Sequence, residues 1–296
     1  MPLCRHSRPA RSPSPGRALY DVRVTSPRRT PSRQTTLDVV ETTWLTPGLV
    51  RVTLSGDEFD DFADRIETDK YAKLFFPPAD SPLEPPYDLA ALRDEVPFDQ
   101  LPTVRTYTIR RVDPGRRTVD IDFVVHGDAG VAGPWAATAG PGDRLTMSSP
   151  GGGYLADGEA DHHVLIGDES AFPAITAALE ALPETAHVTV VLEARSIEHR
   201  VALPTAATAT LEWVDEDHEA PGARLVDTVE RLEWPAGRVQ VFAHGERGAM
   251  KALRPLLIER GVARADLSLS AYWAYGRSED TFQSEKRLPI GQIFPD

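Results

Sequence analysis

Short runs of alternating hydrophobic and polar residues dominate the first half of the chain after its N-terminal tail. Six of them are rich in β-branched or aromatic residues at a period of two, which predicts strands at 34–43, 49–54, 71–76, 104–111, 118–125 and 144–147. Strands of this number and spacing are typical of a small antiparallel barrel. A Pro- and acid-rich segment, residues 77–102, separates the third strand from the fourth and predicts a surface excursion over the barrel.

After Tyr154 the pattern changes to nearly continuous apolar runs, at 163–167, 188–193, 239–243 and 267–272. Such runs predict strands that are buried on both faces, as in a parallel sheet. Pro173 suits the first turn of a helix that follows the first of these strands. A second predicted helix, residues 247–260, contains Pro255, which should kink or split it. The second half is therefore predicted to be a parallel α/β domain, joined to the barrel through residues 155–159.

Charge is distributed unevenly along the 296 residues. The formal net charge of −13 argues against general nucleic-acid binding, which needs clustered cations. Residues 1–33 hold eight arginines against one acid, Asp21, so this tail carries +7 and the rest of the chain about −20. The tail is rich in Pro and Ser and predicts disorder. Two interpretations stay open: a functional basic arm, and a segment without function that reflects either a start codon placed too far upstream or an unselected disordered leader.

Other sequence features exclude several classes of protein. Cys4 is the only cysteine, so disulfides, a Cys-ligated zinc and an iron–sulfur cluster are excluded, and electron transfer would need an organic cofactor. The eight histidines show no metal-ligand spacing, and the G-x-S-x-G nucleophile pattern is absent. The sequence shows neither a secretory signal nor eighteen consecutive apolar residues, which favours a cytoplasmic protein without a membrane span.

The tetrapeptide Arg105-Thr106-Tyr107-Thr108 lies in the fourth predicted strand. Side chains alternate along a strand, so Arg105 and Tyr107 share one face and the two threonines share the other. The segment can therefore offer a guanidinium to a diphosphate, a phenol ring to a flat heterocycle and a hydroxyl to a ring nitrogen. A flavin dinucleotide needs these contacts.

Four further segments follow in order: D-F-V-V-H-G at 122–127, G-V-A-G-P-W-A at 130–136, P-G-D-R-L at 141–145 and P-G-G-G-Y at 150–154. With the tetrapeptide, this ordered set resembles the siderophore-interacting protein family, FAD-dependent ferric-siderophore reductases among the ferredoxin-reductase-like flavoproteins. The resemblance runs from about residue 35 to residue 286. It implies a six-stranded antiparallel Greek-key barrel that binds FAD (34–157), followed by a parallel-sheet α/β domain that binds NAD(P)H (158–296).

The resemblance implies that Arg105 pairs with the FAD pyrophosphate, Tyr107 packs on the isoalloxazine or ribityl chain, and Thr108 approaches the flavin ring. Gly133 stands where the family has Ser, which removes a capping hydroxyl but leaves a backbone N–H for an anion. Trp135 has a second interpretation as a core anchor, and the glycines before Tyr154 have one as a domain-linking turn. The other residues with implied FAD roles are His126, Gly127, Gly133, Trp135, Gly152, Gly153 and Tyr154.

The segment I-G-D-E-S-A-F-P at 166–173 lacks G-x-G-x-x-G but resembles the nicotinamide segment of the family. Arg195 and Ser196 follow the second strand of this domain, and arginine with a hydroxyl suits a ribose 2′-phosphate, which favours NADPH over NADH. The residues implied for NAD(P)H are Gly167, Asp168, Glu169, Ser170, Arg195, Ser196, Gly245 and Glu246.

The implied reaction is reduction of a ferric siderophore by NAD(P)H through FAD, with no catalytic residue or metal site contributed by the protein. Ferric siderophores are often anionic, so the strongly acidic body predicts a local basic patch, made of Lys73, Arg110, Arg277 and Lys286. A ferredoxin is a second possible electron donor. Two alternatives stay open: a reductase of free flavin, a quinone or a ferredoxin partner, and a non-catalytic siderophore-binding protein.

Overall fold

The computed structural model describes residues 33–63, 65–127 and 130–294. The predicted N-terminal tail therefore lies outside the described residues, apart from Arg33, and its role stays a prediction. The Arg33 guanidinium lies 3.0 Å from the Asp61 carboxylate, at the start of the first strand. No helix in the described ranges is long and apolar enough to span a lipid bilayer.

Six antiparallel strands close into a barrel in the order β1-β2-β5-β4-β3-β6. They are β1 (Gln34–Thr46), β2 (Leu49–Ser55), β3 (Tyr71–Phe76), β4 (Thr103–Asp113), β5 (Thr118–Val124) and β6 (Arg144–Ser148). Alternate side chains, including Leu37, Leu74, Ile109 and Phe123, point inward and are fully buried, which is why the period of two forms a closed core. The predicted barrel is confirmed.

The insert between β3 and β4 contains the helix α1 (Leu89–Glu95), which begins after the N-cap Asp88 and buries none of its seven residues. Tyr87 fixes the insert to the barrel, because its backbone N–H and C=O both bond to the Gln34 side chain, at 2.7 and 2.9 Å. The Tyr87 ring also packs on Phe75. The insert is thus a surface excursion, as its composition predicts. A second short helix, α2 (Ala132–Thr138), lies between β5 and β6.

The second half is a five-stranded parallel sheet in the order β11-β10-β7-β8-β9. Its strands are β7 (His162–Gly167), β8 (His187–Ala194), β9 (Thr208–Asp215), β10 (Val239–Glu246) and β11 (Leu267–Trp273). Four helices accompany them: α3 (Phe172–Ala181), α4 (Ala223–Arg231), α5 (Arg247–Glu259) and α6 (Glu279–Glu285). Chain order reverses between β7 and β10, and ligands of such sheets bind at the carboxyl ends of the strands beside this reversal.

Two features of the sheet domain differ from the sequence prediction. The edge strand β9 was not predicted, because most of its side chains are exposed and it has no continuous apolar run. The helix α5 runs unbroken through Pro255, so a split there is wrong. Met250, Leu253 and Leu257 are fully buried on one side of α5, and this packing outweighs the single hydrogen bond that Pro255 cannot make.

A side-chain amide, that of Gln240, bonds the linker between the two domains to the sheet. Gln240, near the start of β10, accepts a hydrogen bond from the Asp157 backbone N–H at 2.8 Å and donates to the Leu155 carbonyl at 3.1 Å. The Tyr154 phenol also donates to the Gln240 carbonyl oxygen. The predicted linker residues 155–159 are therefore bonded to the sheet rather than left as a free tether.

Candidate functional site

Arg105 lies on β4 with its guanidinium against the C-terminal helix. Its Nη1 donates to the Asp280 carboxylate of α6 at 2.8 Å and to the Val104 carbonyl at 2.9 Å. The Arg105 side chain is largely buried, whereas that of Asp280 is 74 % exposed. Asp280 therefore occupies the position that an anionic group bound to Arg105 would take. A diphosphate would have to compete with this carboxylate.

Tyr107 and Thr108 point to opposite faces of β4. The half-buried Tyr107 ring packs on Phe123 with its centroid 4.5 Å away, and burial raises the pKa of Tyr107 to about 12, so the phenol stays protonated at neutral pH. The Thr108 side chain is buried, and Arg110, two residues further along the strand, bonds to Glu180 of α3. One face of β4 thus belongs to the barrel, and the other meets the sheet domain.

The segment after β5 exposes two of the predicted flavin residues, His126 and Gly127, and Gly127 has a left-handed φ of 65°. Gly133 is buried in α2, where a Cβ would approach the Val124 carbonyl to 3.1 Å. Close packing of α2 on β5 therefore explains a glycine at this position. The Trp135 ring packs on barrel aromatics, as the core-anchor interpretation expects.

The residues before and at the domain linker make their contacts with protein groups. The backbone N–H groups of Gly153 and Tyr154 both donate to the Asp69 carboxylate at 2.8 Å. A Cβ at Gly152 would lie 2.8 Å from that of Glu67, so packing requires a glycine there. Tyr154 is buried against Phe242 of the sheet domain. These contacts fit the turn interpretation, and roles in FAD binding stay predictions.

Arg110 forms an ion pair between the two domains. Its two terminal nitrogens bond both carboxylate oxygens of Glu180, on α3, at 2.8 and 2.7 Å. Only 7 % of the Arg110 side chain is exposed. The expectation of an accessible cation at Arg110 is therefore corrected, because its guanidinium is buried and satisfied by Glu180.

Asp168 ties together the carboxyl ends of three strands. Its carboxylate accepts hydrogen bonds from the Ser170 N–H (2.9 Å) and hydroxyl, the Glu246 N–H (2.7 Å) and the Trp273 indole N–H (2.8 Å). Burial raises the pKa of Asp168, while these donors act in the opposite direction. The structure thus brings the predicted nucleotide residues Asp168, Ser170 and Glu246 together beside the reversal of strand order.

Two glycines allow close packing at the carboxyl edge of the sheet. A Cβ at Gly245, where φ is 156°, would lie 2.5 Å from the Asp168 carboxylate, and one at Gly167 would lie 2.7 Å from the Ala171 Cβ. Glu246 then caps α5 by accepting from the Ala249 N–H at 2.9 Å. The same carboxylate accepts from the Tyr275 N–H, which fixes the segment after β11 to the edge.

The residues predicted for the 2′-phosphate are already bonded to protein acids. Arg195 donates to Glu169 from Nε (2.9 Å) and Nη2 (2.6 Å), and the Ser196 hydroxyl donates to Glu198 at 2.6 Å. Arg200, close in sequence, pairs with Asp215 at 2.8 Å. A role in NADPH recognition stays a prediction for Arg195 and Ser196.

Glu193, near the carboxyl end of β8, is a buried acid that was not predicted from the sequence. It is 1 % exposed, one of its oxygens accepts from the Gly222 N–H at 2.8 Å, and the other has no partner among the described residues. Burial raises the pKa of Glu193 to about 7. A carboxylate near the end of an otherwise apolar strand was the signal that could have identified it.

Replacing Glu193 with Gln is expected to stabilise the protein at pH 8 by about 1 to 3 kcal/mol and to change nothing at pH 4. Between the ordinary carboxyl pKa and about 7, folded Glu193 holds a proton that the unfolded chain has released, so stability falls as pH rises through this window. Urea unfolding at both pH values measures the difference. The exposed Glu184→Gln, at the opposite edge of the sheet, is the control, and equal pH dependence in both variants would contradict the expectation.

The other predicted patch residues lie on β3 and in the C-terminal segment. Lys73 is exposed and pairs in register with Thr106 of β4. Arg277 donates to Glu285 at 2.9 Å, and the Lys286 ammonium lies 4.6 Å from the Phe282 ring centroid. The described residues contain no group of three or more His, Cys, Asp or Glu side chains suited to a metal ion.

A closed six-stranded barrel followed by a five-stranded parallel sheet is the ferredoxin-reductase-like fold. Among proteins with this fold, the model for the siderophore-interacting FAD-binding domain matches residues 38–154, and the model for the siderophore-interacting protein matches residues 160–276. The chain belongs to the siderophore-interacting protein family, which confirms the resemblance seen in its motifs.

Named relatives agree with this assignment. The ferric vibriobactin reductase ViuB of Vibrio cholerae is 32% identical over 87% of this chain and 96% of its own length. An NADPH-dependent ferric-chelate reductase of Escherichia coli is 29% identical over 80% of this chain and 91% of its own length. The crystal structure of a siderophore utilization protein from T. fusca superimposes with a TM-score of 0.72 at 36% identity, covering 84% of this chain and 95% of that one.

Proposed function

We propose that this protein is an FAD-dependent reductase that uses NAD(P)H to reduce ferric siderophores and releases Fe(II) in the cytoplasm. The observation that carries the proposal is the hydrogen bond of 2.8 Å between Arg105, on β4, and Asp280 of α6, the helix that follows β11. It sets the barrel strand that bears Arg105 and Tyr107 beside the segment that leaves the carboxyl edge of the sheet. A flavin on that strand and a nucleotide at that edge would therefore lie close to each other.

The residues around β4 fit FAD. Arg105 would bind the diphosphate with its guanidinium in place of Asp280, and the ring of Tyr107, whose phenol is protonated at neutral pH, would offer the cofactor a flat surface. The positive φ at Gly127 and Gly130 lets the backbone turn next to the strand without a side chain in the way. When bound, FAD accepts a hydride and passes on single electrons, which is the chemistry that the protein's own side chains lack.

The nucleotide is proposed to bind beyond the carboxyl ends of β7 and β10, where the strand order reverses, against the segment that contains Asp168 and Ser170. Its chemistry needs no proton transfer by the protein. Either NADPH or NADH is compatible with a hydride donor at this edge, and the Escherichia coli relative is named as NADPH-dependent. Neither the described residues nor the relatives named above support a ferredoxin as the donor.

Siderophore reduction follows from the metal's ligand preference. Hard oxygen ligands hold Fe(III) far better than Fe(II), so adding one electron loosens the chelate. Each NAD(P)H supplies two electrons and thus reduces two ferric ions. Lys73, Arg277 and Lys286 are proposed to attract an anionic chelate towards the site, because the body of the protein is strongly acidic.

An absorbance spectrum of the purified protein, recorded without oxygen, tests the proposed function. The protein incubated with FAD and desalted should be yellow, should bleach on addition of NADPH or NADH, and should regain its colour when a ferric siderophore is added. A ferrous-specific chromogenic chelator in the same cuvette should report about two Fe(II) for each nucleotide oxidised. Protein that stays colourless would favour the non-catalytic binder, and recolouring by quinone or free flavin but not by ferric chelate would favour another acceptor.

Replacing Lys73 with Glu is expected to raise KM for an anionic ferric chelate about 3- to 10-fold while leaving the bound flavin spectrum unchanged. Charge reversal at an exposed site weakens attraction of the substrate without touching the cofactor. Steady-state kinetics at low and high salt measure the effect, which salt should diminish. The matched reversal Arg231→Glu, on the exposed end of α4, should leave KM unchanged, and an unchanged KM in Lys73→Glu would remove this residue from the patch.

A further inference from the structure

One guanidinium, that of Arg195, joins the two domains at the point where both predicted binding segments begin. Its Nε and Nη2 donate to Glu169 Oε2, and its backbone N–H donates to Glu169 Oε1 at 2.8 Å. The two terminal nitrogens also face the barrel, where they lie 3.4 Å from the Val125 carbonyl, and Nη2 lies 3.5 Å from that of Gly48. Only 24 % of the Arg195 side chain is exposed.

The barrel is shaped to receive this guanidinium. Gly48 lies in the turn between β1 and β2, and its carbonyl also accepts the Val125 N–H at 2.8 Å. A Cβ at Gly48 would collide with the Arg195 guanidinium and would lie 2.7 Å from the His199 ring. Gly48 does not have a left-handed φ, so the backbone itself does not demand a glycine there. Position 48 is therefore a glycine because the Arg195 guanidinium fills the space that a side chain would need.

The two partners of Arg195 belong to different binding segments. Glu169 lies in the turn after β7 that is proposed to hold the nicotinamide end of the nucleotide. Val125 directly precedes His126 and Gly127, which are predicted to line the flavin site. Resting on the proposed function, we propose that Arg195 is a positioning residue that fixes the flavin segment of the barrel to the nicotinamide turn of the sheet domain.

This role differs from recognition of a ribose 2′-phosphate. An arginine that binds a phosphate presents its fork of N–H groups to the anion. In Arg195, Nε and Nη2 already bond Glu169, and the remaining N–H groups face backbone carbonyls of the barrel. Losing Arg195 should therefore affect NADH and NADPH alike, because what changes is the distance between the two binding segments.

The variant Arg195→Gln tests the proposal in the FAD-loaded protein. The rate constant of flavin reduction at saturating nucleotide should fall about 10- to 100-fold, since small displacements of reacting groups have effects of this size. The factor should be the same for NADH and NADPH, with both dissociation constants within about twofold of the parent protein. Hydrogen exchange of the amides at 125–127 should speed up, and this readout needs no turnover. Arg195→Lys should recover part of the loss at most, since an ammonium cannot reproduce the fork.

Matched variants separate this contact from general damage. Arg231→Gln removes one exposed arginine from α4 and should leave both the rate constant and the exchange unchanged. Gly48→Ala attacks the same contact from the barrel and should reproduce the effects of Arg195→Gln, whereas Gly140→Ala, with nothing within 4 Å of the added Cβ, should not. The double variant Gly48→Ala with Arg195→Gln should be clearly less than additive.

Two results would overturn the proposal. A selective loss of NADPH affinity in Arg195→Gln, with NADH kinetics and amide exchange unchanged, would make Arg195 a 2′-phosphate ligand. Unchanged kinetics and exchange would show that the contact positions nothing. If neither nucleotide reduced the flavin of the parent protein, the proposed function would fail, and the exchange of residues 125–127 in Arg195→Gln and Gly48→Ala would still decide whether the contact holds this segment.

Discussion

Replacing Arg105 with Gln is expected to raise the dissociation constant for FAD about 10- to 100-fold. The guanidinium is the cation predicted to meet the diphosphate, and a hydrogen bond to a charged group contributes about 1.5 to 3 kcal/mol. Gln keeps a polar side chain, but it is shorter and has no charge. Quenching of FAD fluorescence on titration with the apoprotein measures the constant.

The ion pair between Arg105 and Asp280 leads to a second prediction, in which the affinity for FAD increases. Asp280→Asn should tighten FAD binding about 2- to 5-fold, because a diphosphate no longer competes with an exposed carboxylate for the same guanidinium. Arg111→Gln, on the same strand but exposed and paired with Asp113, is the control and should bind FAD normally. Equal affinities in Arg105→Gln and Arg111→Gln would sink the assignment of Arg105 to the diphosphate.

Replacing Asp168 with Asn is expected to lower the free energy of unfolding by about 3 kcal/mol and to abolish flavin reduction by NAD(P)H. The carboxylate accepts from the backbone of Glu246 and from the Trp273 indole with the same oxygen, Oδ2. The Asn amide has one oxygen and one N–H₂ group. If the N–H₂ group replaces Oδ2, it faces the Glu246 N–H and the Trp273 indole, and if it replaces Oδ1, it faces the Ser170 donors. In either orientation, donors at this site lose their acceptor. Urea unfolding followed by tryptophan fluorescence measures the loss.

Ser170→Ala is the matched variant for this experiment. It removes one donor and leaves the Asp168 carboxylate bonded to the other groups, so its cost should be only about 1 kcal/mol. The difference in free energy of unfolding between the two variants measures the contribution of the Asp168 carboxylate, which joins β7, β10 and β11. If Asp168→Asn were as stable as Ser170→Ala, the three strand ends would not depend on this carboxylate.

Local patterns predicted the barrel well, since each strand has one buried face and the period of two records it directly. The tetrapeptide at 105–108 was placed on a strand for the same reason, and its two faces diverge as alternation requires. The edge strand β9 escaped prediction because exposure on both faces leaves no pattern to read. Pro255 led to the opposite error, since a split helix was predicted from the local cost of a proline. The buried packing of α5 outweighs that cost, and the helix continues.

The partners of the candidate site residues could not be predicted from the sequence. Arg105 meets Asp280, 175 positions away, and Arg110 meets Glu180, 70 positions away. The arginines were identified from the sequence, but the chain contains 45 Asp and Glu residues, and the sequence does not show which of them each arginine binds. Which acid it meets depends on how the sheet domain docks on the barrel, and no local pattern encodes that docking.

The side chain of Gln240 has a consequence for how ligands enter and leave. Gln240 bonds the linker at Leu155 and Asp157, and Arg110 and Arg195 bond the two domains to each other elsewhere along their interface. The two halves should therefore behave as a single rigid block. Any opening for the proposed ferric chelate would then involve the exposed segment after β11, whose attachment to the barrel includes the solvent-facing carboxylate of Asp280.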